Sequence, residues 1–269
     1  MRSRLQREEY QLRRGRASVS DLVLTILDKA RRSGCKAALP NGRLSLAQAY
    51  AVQAALFAAG GADLAGWKIG LTGQAIRDAM GAVEPAAGML ASADILRGPA
   101  SATLDGDEHY VEAELVFEIA ADLLPSSAPF GHGDVVAVIG AVHVGIELVQ
   151  SRFVSSDLPL DLLIADNCMA DRLLVGDKVA DHWDDRFADL GMTLYGPGEG
   201  IVHGSTAAVM GNPLDAVTWL ANHLARCGMG LRQGQLVSSG TCTGATLVRP
   251  GDRVTADLAG GACATIEFS

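Results

Sequence analysis

Glu112-Ala113-Glu114 is the place in this chain where residue type and spacing most directly suggest chemistry. Two carboxylates two residues apart on a strand project from one face, roughly 6–7 Å apart along the chain. On a solvated face such a pair is ordinary. On a buried face two like charges are costly unless a cation answers them. A hard divalent ion with oxygen ligands would do so, and Mg²⁺ or Mn²⁺ suits the site better than zinc, because no His or Cys stands nearby at a ligand spacing. Glu147 is a third acid of interest, since it interrupts the apolar stretch from Ala141 to Val149. It is either a ligand or one half of an ion pair, with Arg152 the nearest candidate in sequence. Lys68 lies within Gly66-Trp67-Lys68-Ile69-Gly70. It is either a snorkelling surface residue or a buried cation whose pKa is lowered into the range of acid–base chemistry. Asp166-Asn167 reads as a helix cap or turn.

The elements that position these residues follow from periodicity. From His109 to Asp122, Val111, Ala113, Leu115, Phe117 and Ile119 share one parity, and Glu112, Glu114, Val116 and Glu118 share the other, which predicts a strand. A second strand is expected over Val142 to Phe153. Residues 18–33 predict an amphipathic helix stopped by Gly34, and Ser45 with Gln48 predicts a capped helix ending at Gly60. Asp161 to Asn167 reads as helical. Leu190–Tyr195 and Gly200–His203 flank a Gly-Pro-Gly-Glu turn as a hairpin. Asn212-Pro213 opens a helix stopped by Gly228. Short strands then follow at Gln235–Ser239, Ala245–Val248, Arg253–Leu258 and Ala262–Phe268. Helices first and many short strands later predict an α+β fold with a largely antiparallel or mixed sheet.

Composition narrows the function classes. The 269 residues are 49% hydrophobic and 20% charged, enough for a sizeable core. With 22 basic against 31 acidic residues, the net charge of −9 argues against a nucleic-acid partner. Six arginines crowd the first 16 residues (Arg2 to Arg16), so the body is more acidic than the total suggests. Residues 1–17 read as a disordered basic arm, and 18–269 as a single domain with a helical subregion at 18–62. No apolar run approaches the ~18 residues that cross a bilayer. Five dispersed cysteines without a C-x-x-C suggest reduced thiols and a cytoplasmic location. There is no Walker motif, and no G-x-G-x-x-G follows a strand.

Taken in order, several segments resemble the 2-keto-4-pentenoate hydratase branch of the fumarylacetoacetate hydrolase superfamily. They are Gly66-Trp67-Lys68-Ile69-Gly70-Leu71-Thr72, Val111-Glu112-Ala113-Glu114-Leu115-Val116-Phe117 and Gly145-Ile146-Glu147-Leu148-Val149-Gln150-Ser151-Arg152. Behind them come Ile164-Ala165-Asp166-Asn167, Gly211-Asn212-Pro213-Leu214, Ser239-Gly240-Thr241 and Pro250-Gly251-Asp252. The resemblance runs from about Ser18 to the C-terminus. It implies a mixed β-roll with packed helices, a homo-oligomer, and a divalent metal, Mg²⁺ or Mn²⁺, on Glu112, Glu114 and Glu147. It also implies a lysine, Lys68, in substrate binding and acid–base steps, with Thr72, Gly240 and Thr241 as candidate contacts for a small 2-oxo or 2-hydroxydienoic acid. The implied activity is hydration of a 2-hydroxy-2,4-dienoate to a 4-hydroxy-2-oxo acid in the catabolism of aromatic ring-cleavage products. Decarboxylation of a 2-oxo-3-hexenedioate, C–C cleavage of an acylpyruvate, and a non-catalytic relative are the alternatives. The sequence departs from the family pattern twice. Glu84-Pro85-Ala86-Ala87-Gly88 places Ala86 where the hydratases carry an Asp, leaving Glu84 as a candidate substitute. Cys168-Met169-Ala170 follows Asp166-Asn167 where small residues and serine are usual.

Overall fold

The computed structural model describes residues 18–105, 108–155, 157–198 and 200–269. The basic arm expected at 1–17 lies outside the described residues. Two helices come first, α1 (Val19–Ser33) and α2 (Leu46–Gly60). Both begin at the serines that sequence logic favours. At Ser18 and Ser45 the side chain accepts the backbone N–H three residues on, and the third residue's side chain returns the bond. Gly34 (φ +66°) and Gly61 (φ +65°) take the left-handed cap positions, the second of them one residue beyond the expected stop at Gly60.

The chain then builds β1 (Leu64–Gly70), α3 (Gln74–Met80), β2 (Ala86–Ala91), β3 (Ile95–Arg97) and β4 (Ala100–Ala102). The long strand β5 (His109–Ile119) follows, then α4 (His132–Val136), β6 (Ile139–Val149), α5 (Leu160–Ala165) and β7 (Ala170–Ala180). The hairpin is β8 (Gly191–Tyr195) with β9 (Ile201–Ser205), and α6 (Pro213–Arg226) lies between it and β10 (Leu236–Ser238). The chain ends in β11 (Thr246–Val248), β12 (Arg253–Leu258) and β13 (Ala262–Phe268). One sheet has the order β2-β1-β10-β5-β6-β7-β3, with β11 also on β5; the other has the order β4-β13-β12-β8-β9. Pairing is mixed: β1 with β10, β3 with β7 and β4 with β13 are parallel, and the rest are antiparallel. This is the expected α+β class, with the large sheet curled as a half-barrel and helices at the N-terminal end.

The odd-numbered face of β5 (Val111, Ala113, Leu115, Phe117, Ile119) joins the main core with the second sheet and the stripe Leu214, Val217, Leu220, Ala221 and Leu224 of α6. The opposite face is also enclosed. Val116 packs there with Leu90, Leu173, Val175 and Leu236. A further cluster binds α1, α2 and α5 together around Ala86, Phe153 and Cys168. Glu112 and Glu114 therefore lie on the inner face of the half-barrel, not on an open edge strand. Strands β2, β3, β4 and β7 and helices α3 and α4 are not among the elements that the sequence pattern marks. Helix α3 is only seven residues long and has no buried residue, so it shows no core-facing stripe. Strand β7 carries Asp171, Arg172, Asp177 and Lys178, which obscure its alternation. The helical reading of Asp161–Asn167 holds only to Ala165; beyond it the chain makes a left-handed turn through Asn167, Cys168 and Met169.

The close approach of β1 to β10 depends on a missing side chain. A Cβ on Gly66 would stand 2.2 Å from the carbonyl oxygen of Leu236, which pairs with it in register. Gly66→Ala is expected to destabilise the fold at the upper end of the roughly 1–3 kcal/mol that overpacking costs. Gly133→Ala, whose Cβ meets nothing within 4 Å and which lies in α4, is the control, expected to be neutral or slightly stabilising. Thermal unfolding of the two variants checks this; equal melting temperatures would refute it.

Candidate active site

The site assembles by strand register. In the antiparallel pairing of β5 with β6, Glu112 lies directly opposite Glu147, and Glu114 is opposite the neighbouring Gly145. Facing residues of a ladder share a face, so the three carboxylates meet. Ligand atoms of Glu112, Glu114 and Glu147 all lie within 4.8 Å of one another. Glu114 and Glu147 are 0% exposed, and Glu112 sits at the rim with partial solvent access. Lys68 arrives from β1, two strands away across β10, and is 3% exposed. Its Nζ lies 3.1 Å from Oε1 of Glu147. Lys68 is thus no snorkelling side chain. Nor is Glu147 paired with Arg152, whose guanidinium donates instead to the carbonyls of Gln150 and Ala170 and faces Asp166 at 3.8 Å.

Two donors hold Glu114. Ser238 Oγ donates to its Oε2 at 2.5 Å, and the backbone N–H of Gly240 donates to the same oxygen at 2.9 Å. Sequence reasoning misses Ser238; its only signal is a hydroxyl at the last position of a fully buried strand. Glu114 Oε1 and Glu147 Oε2 accept no hydrogen bond although both are buried. Three converging carboxylates with orphaned oxygens are what a divalent cation would satisfy, and an all-oxygen donor set suits a hard ion. The triad can therefore hold a metal.

The remaining candidates divide. Thr72 is buried, and its hydroxyl packs on Gly240, where a Cβ would come within 2.6 Å of it. Arg77 of α3 fixes this loop by donating to the carbonyls of Leu71 and Thr72 at 2.8 and 2.7 Å. Thr241 is only partly buried, and its Oγ1 accepts the N–H of Gly244 at 2.8 Å. Gly240, expected as a substrate contact, has its N–H engaged by Glu114. Glu84 is not brought into the cluster. It is exposed, and its Oε2 accepts Trp219 Nε1 at 2.9 Å and an Arg226 guanidinium N–H at 2.8 Å. Ala86 lies on the same face of β2 as Gly88, the register partner of Lys68, and is buried against the helical cluster with Cys168. Burial pushes the Cys168 thiol up to about 12, so it stays neutral. A separate cavity of about 280 Å³ lies between α1, α2 and the 150–152 segment, lined by Arg31, Lys36 and Arg152 together with Asp94 and Asp171. Neither Lys68 nor any of the three glutamates lines it.

The electrostatics favour protons or a cation in the triad. Burial raises all three carboxyls above their ordinary range; for Glu114, Glu147 and Glu112 add to the rise, and Glu147 is pushed up to about 7. For Lys68, burial pulls the pKa down, but Glu147, Glu112, Cys168 and Glu114 together raise it above the usual lysine value. The lysine is held protonated, contrary to the expected lowering.

These shifts set a dependence on pH. Carboxyls raised in the fold stabilise the metal-free protein at pH below 4.5, and this is lost as pH rises through about 7. Lys68 stays charged across that window. The gain in melting temperature on adding Mg²⁺ is therefore expected to widen between pH 5 and 8, reaching about 5–10 °C at a hundredfold excess over Kd. Thermal shift with and without Mg²⁺ measures it; a gain that is absent, or that shrinks with pH, would refute the reading.

Fold and site together define a curled mixed sheet carrying a buried carboxylate triad and a lysine. Residues 74–267 match the C-terminal domain of fumarylacetoacetate hydrolase, and the chain belongs to that family. The matched stretch holds the three glutamates, while Lys68 precedes it. The chain is 33% identical over 199 residues to the 4-oxalocrotonate decarboxylase of Pseudomonas putida, covering 72% of this chain and 74% of that protein. It is 31% identical over 239 residues to the 2-keto-4-pentenoate hydratase of Paraburkholderia phymatum, covering 86% and 88% respectively. Among solved structures, the 4-oxalocrotonate decarboxylase of Pseudomonas putida G7 with magnesium and adipate superposes with a TM-score of 0.84 at 27% identity, covering 95% of this chain and 100% of that one.

Proposed function

We propose that the protein is a hydratase that adds water to a 2-hydroxy-2,4-dienoate to give a 4-hydroxy-2-oxo acid, in the breakdown of aromatic ring-cleavage products. The observation that carries this is the convergence of Glu112, Glu114 and Glu147, with unsatisfied oxygens, beside a protonated Lys68. A divalent cation on the three carboxylates, Mg²⁺ or Mn²⁺, would supply a Lewis acid for the substrate's carboxylate and 2-oxygen. Lys68 donates a proton to the terminal carbon while the 2-hydroxyl proton leaves to solvent, from which the lysine is recharged. The dienol thus becomes an unsaturated ketone with no net change in protons, and the lysine's charge favours an anionic substrate. Ser238 and the Gly240 N–H orient Glu114 and favour its charged form against the burial that raises it. Thr72 and Thr241 line the approach to the substrate's carboxylate end. A non-catalytic scaffold would gain nothing from three buried like charges, which cost stability without a cation. The active form is a homo-oligomer, which light scattering checks.

Decarboxylation of a 2-oxo-3-hexenedioate is the second reading, favoured by Ala86. Of the two reactions only hydration has a water molecule to activate, and Ala86, with a neutral Cys168 behind it, offers no acid–base group at that position. Decarboxylation needs only an electron sink and a proton donor. Incubation with 2-hydroxypenta-2,4-dienoate and with 2-oxohex-3-enedioate, each with Mg²⁺, separates the two. Loss of ultraviolet absorbance on the dienoate without CO₂ release is the expected result. CO₂ released from the diacid, with no turnover of the dienoate, would establish decarboxylation instead.

A further inference from the structure

Asn167, Cys168 and Met169 take left-handed conformations in succession, with φ of +57°, +52° and +62°. Three such residues without a glycine persist only where the surroundings hold them. The Asn167 carboxamide does so. Its Oδ1 accepts the Met89 N–H at 2.7 Å and its Nδ2 donates to the Met89 carbonyl at 2.8 Å. Strand β2 is the edge of the large sheet, and the amide pairs with its free side as a short extra strand would. Next to Met89 stands Gly88, the register partner of Lys68. A Cβ there would lie 2.7 Å from the Asn167 carbonyl oxygen and 2.8 and 3.1 Å from Lys68 Cγ and Cδ. The lysine stem thus fills the gap over Gly88, beneath the turn. Cys168 closes the far side: its thiol donates to the Ala87 carbonyl at 3.4 Å, and a Cβ on Gly70 would be 3.8 Å from both Cys168 Cβ and Lys68 Nζ. Gln53 ties the same ground together, donating to the carbonyls of Ala87 and Ile164 at 2.9 Å each.

We propose that Asn167 is a positioning residue for Lys68: by clamping Met89 it holds the 167–169 turn over the lysine stem, so that the ammonium stays aimed at Glu147. A lysine has four rotatable stem bonds and loses much freedom when fixed. The clamp makes that loss part of folding, so it is not incurred at each turnover. The effect on catalysis rests on the reading of Lys68 as a group used in turnover, but the effect on its geometry does not.

Asn167→Gly keeps the left-handed backbone at no steric cost and removes only the clamp. Its kcat is expected to fall about 10–100-fold, with KM and Mn²⁺ affinity within about threefold of wild type, as loss of aim in one side chain predicts. A crystal structure is expected to show Lys68 Nζ beyond 4 Å from Glu147. An unchanged kcat with the lysine in place would overturn the proposal, as would a loss confined to KM or to Mn²⁺ binding. If wild type turns over neither substrate, the functional reading fails, and the lysine position in the variant still decides the positioning claim. Should Asn167→Gly not fold, Asn167→Ser, whose shorter hydroxyl cannot span the Met89 N–H and carbonyl together, is read in the same way. A displaced lysine with lowered kcat at constant KM supports the clamp, and an undisplaced one at wild-type kcat overturns it.

Discussion

Glu114→Gln is expected to lose Mn²⁺ binding and turnover together. The carboxamide keeps the shape, and the Ser238 hydroxyl and Gly240 N–H can still reach its oxygen. What it loses is one negative charge from a triad whose ligand atoms lie within 4.8 Å of one another. Loss of a group that merely supports a metal ligand costs about 10–100-fold in affinity or activity. Loss of the ligand itself should exceed that, so a fall of more than about 100-fold in Mn²⁺ affinity, measured by calorimetry, is the expected value. Without metal the sign reverses. Glu114 is raised by burial and by Glu147 and Glu112, so removing its charge relieves repulsion and the metal-free variant is expected to melt above metal-free wild type at pH 8. Full Mn²⁺ occupancy with normal turnover would remove the triad from the mechanism.

Lys68→Met separates chemistry from metal binding. The thioether fills the stem's space but neither donates a proton nor carries charge. Turnover is expected to fall roughly 10²–10⁴-fold, the range that a positioned acid or base contributes. Mn²⁺ affinity should hold or improve, since the ammonium 3.1 Å from Glu147 competes with any cation there. The metal-free variant should lose stability on the order of 3–5 kcal/mol at pH 8, because breaking a buried pair leaves a charge uncompensated, and Mg²⁺ should restore much of it. Stopped kinetics, calorimetry and melting curves on one preparation read all three. A variant that turns over normally, or that loses metal and activity in parallel, would show that Lys68 is not the proton donor.

Much of this site is legible in the amino-acid sequence, for reasons that differ by residue. Glu112 and Glu114 declare themselves because a two-residue spacing on a strand is a local fact. Glu147 is conspicuous because an acid is out of place in an apolar run. Ser45 with Gln48 and Asn212 with Pro213 mark helix starts through caps completed within three residues. Lys68 is noticeable, but its partner is not, because β1 reaches β5 only through β10, whose sequence lies some 170 residues later. Ser238 and the Gly240 N–H are hidden for the same reason. Glu84 misleads in the opposite sense: it is close in sequence to the missing acid at Ala86, yet Trp219 and Arg226 of α6 hold it at the surface. Asn167 suits the turn expected of it, but the clamp on Met89 spans 78 positions.

The sequence by itself determined the α+β class, the caps, the acidic face of β5 and the family to which these motifs point. Each is set by residues a few positions apart, whose geometry the backbone fixes. Tertiary structure alone decided that this face is enclosed, that Glu147 stands opposite Glu112, that Lys68 answers it in place of Arg152, and that Gly88 leaves room for the lysine beneath Asn167. Those facts depend on strand order and register, where a slip of one residue would turn every one of these side chains to the other face.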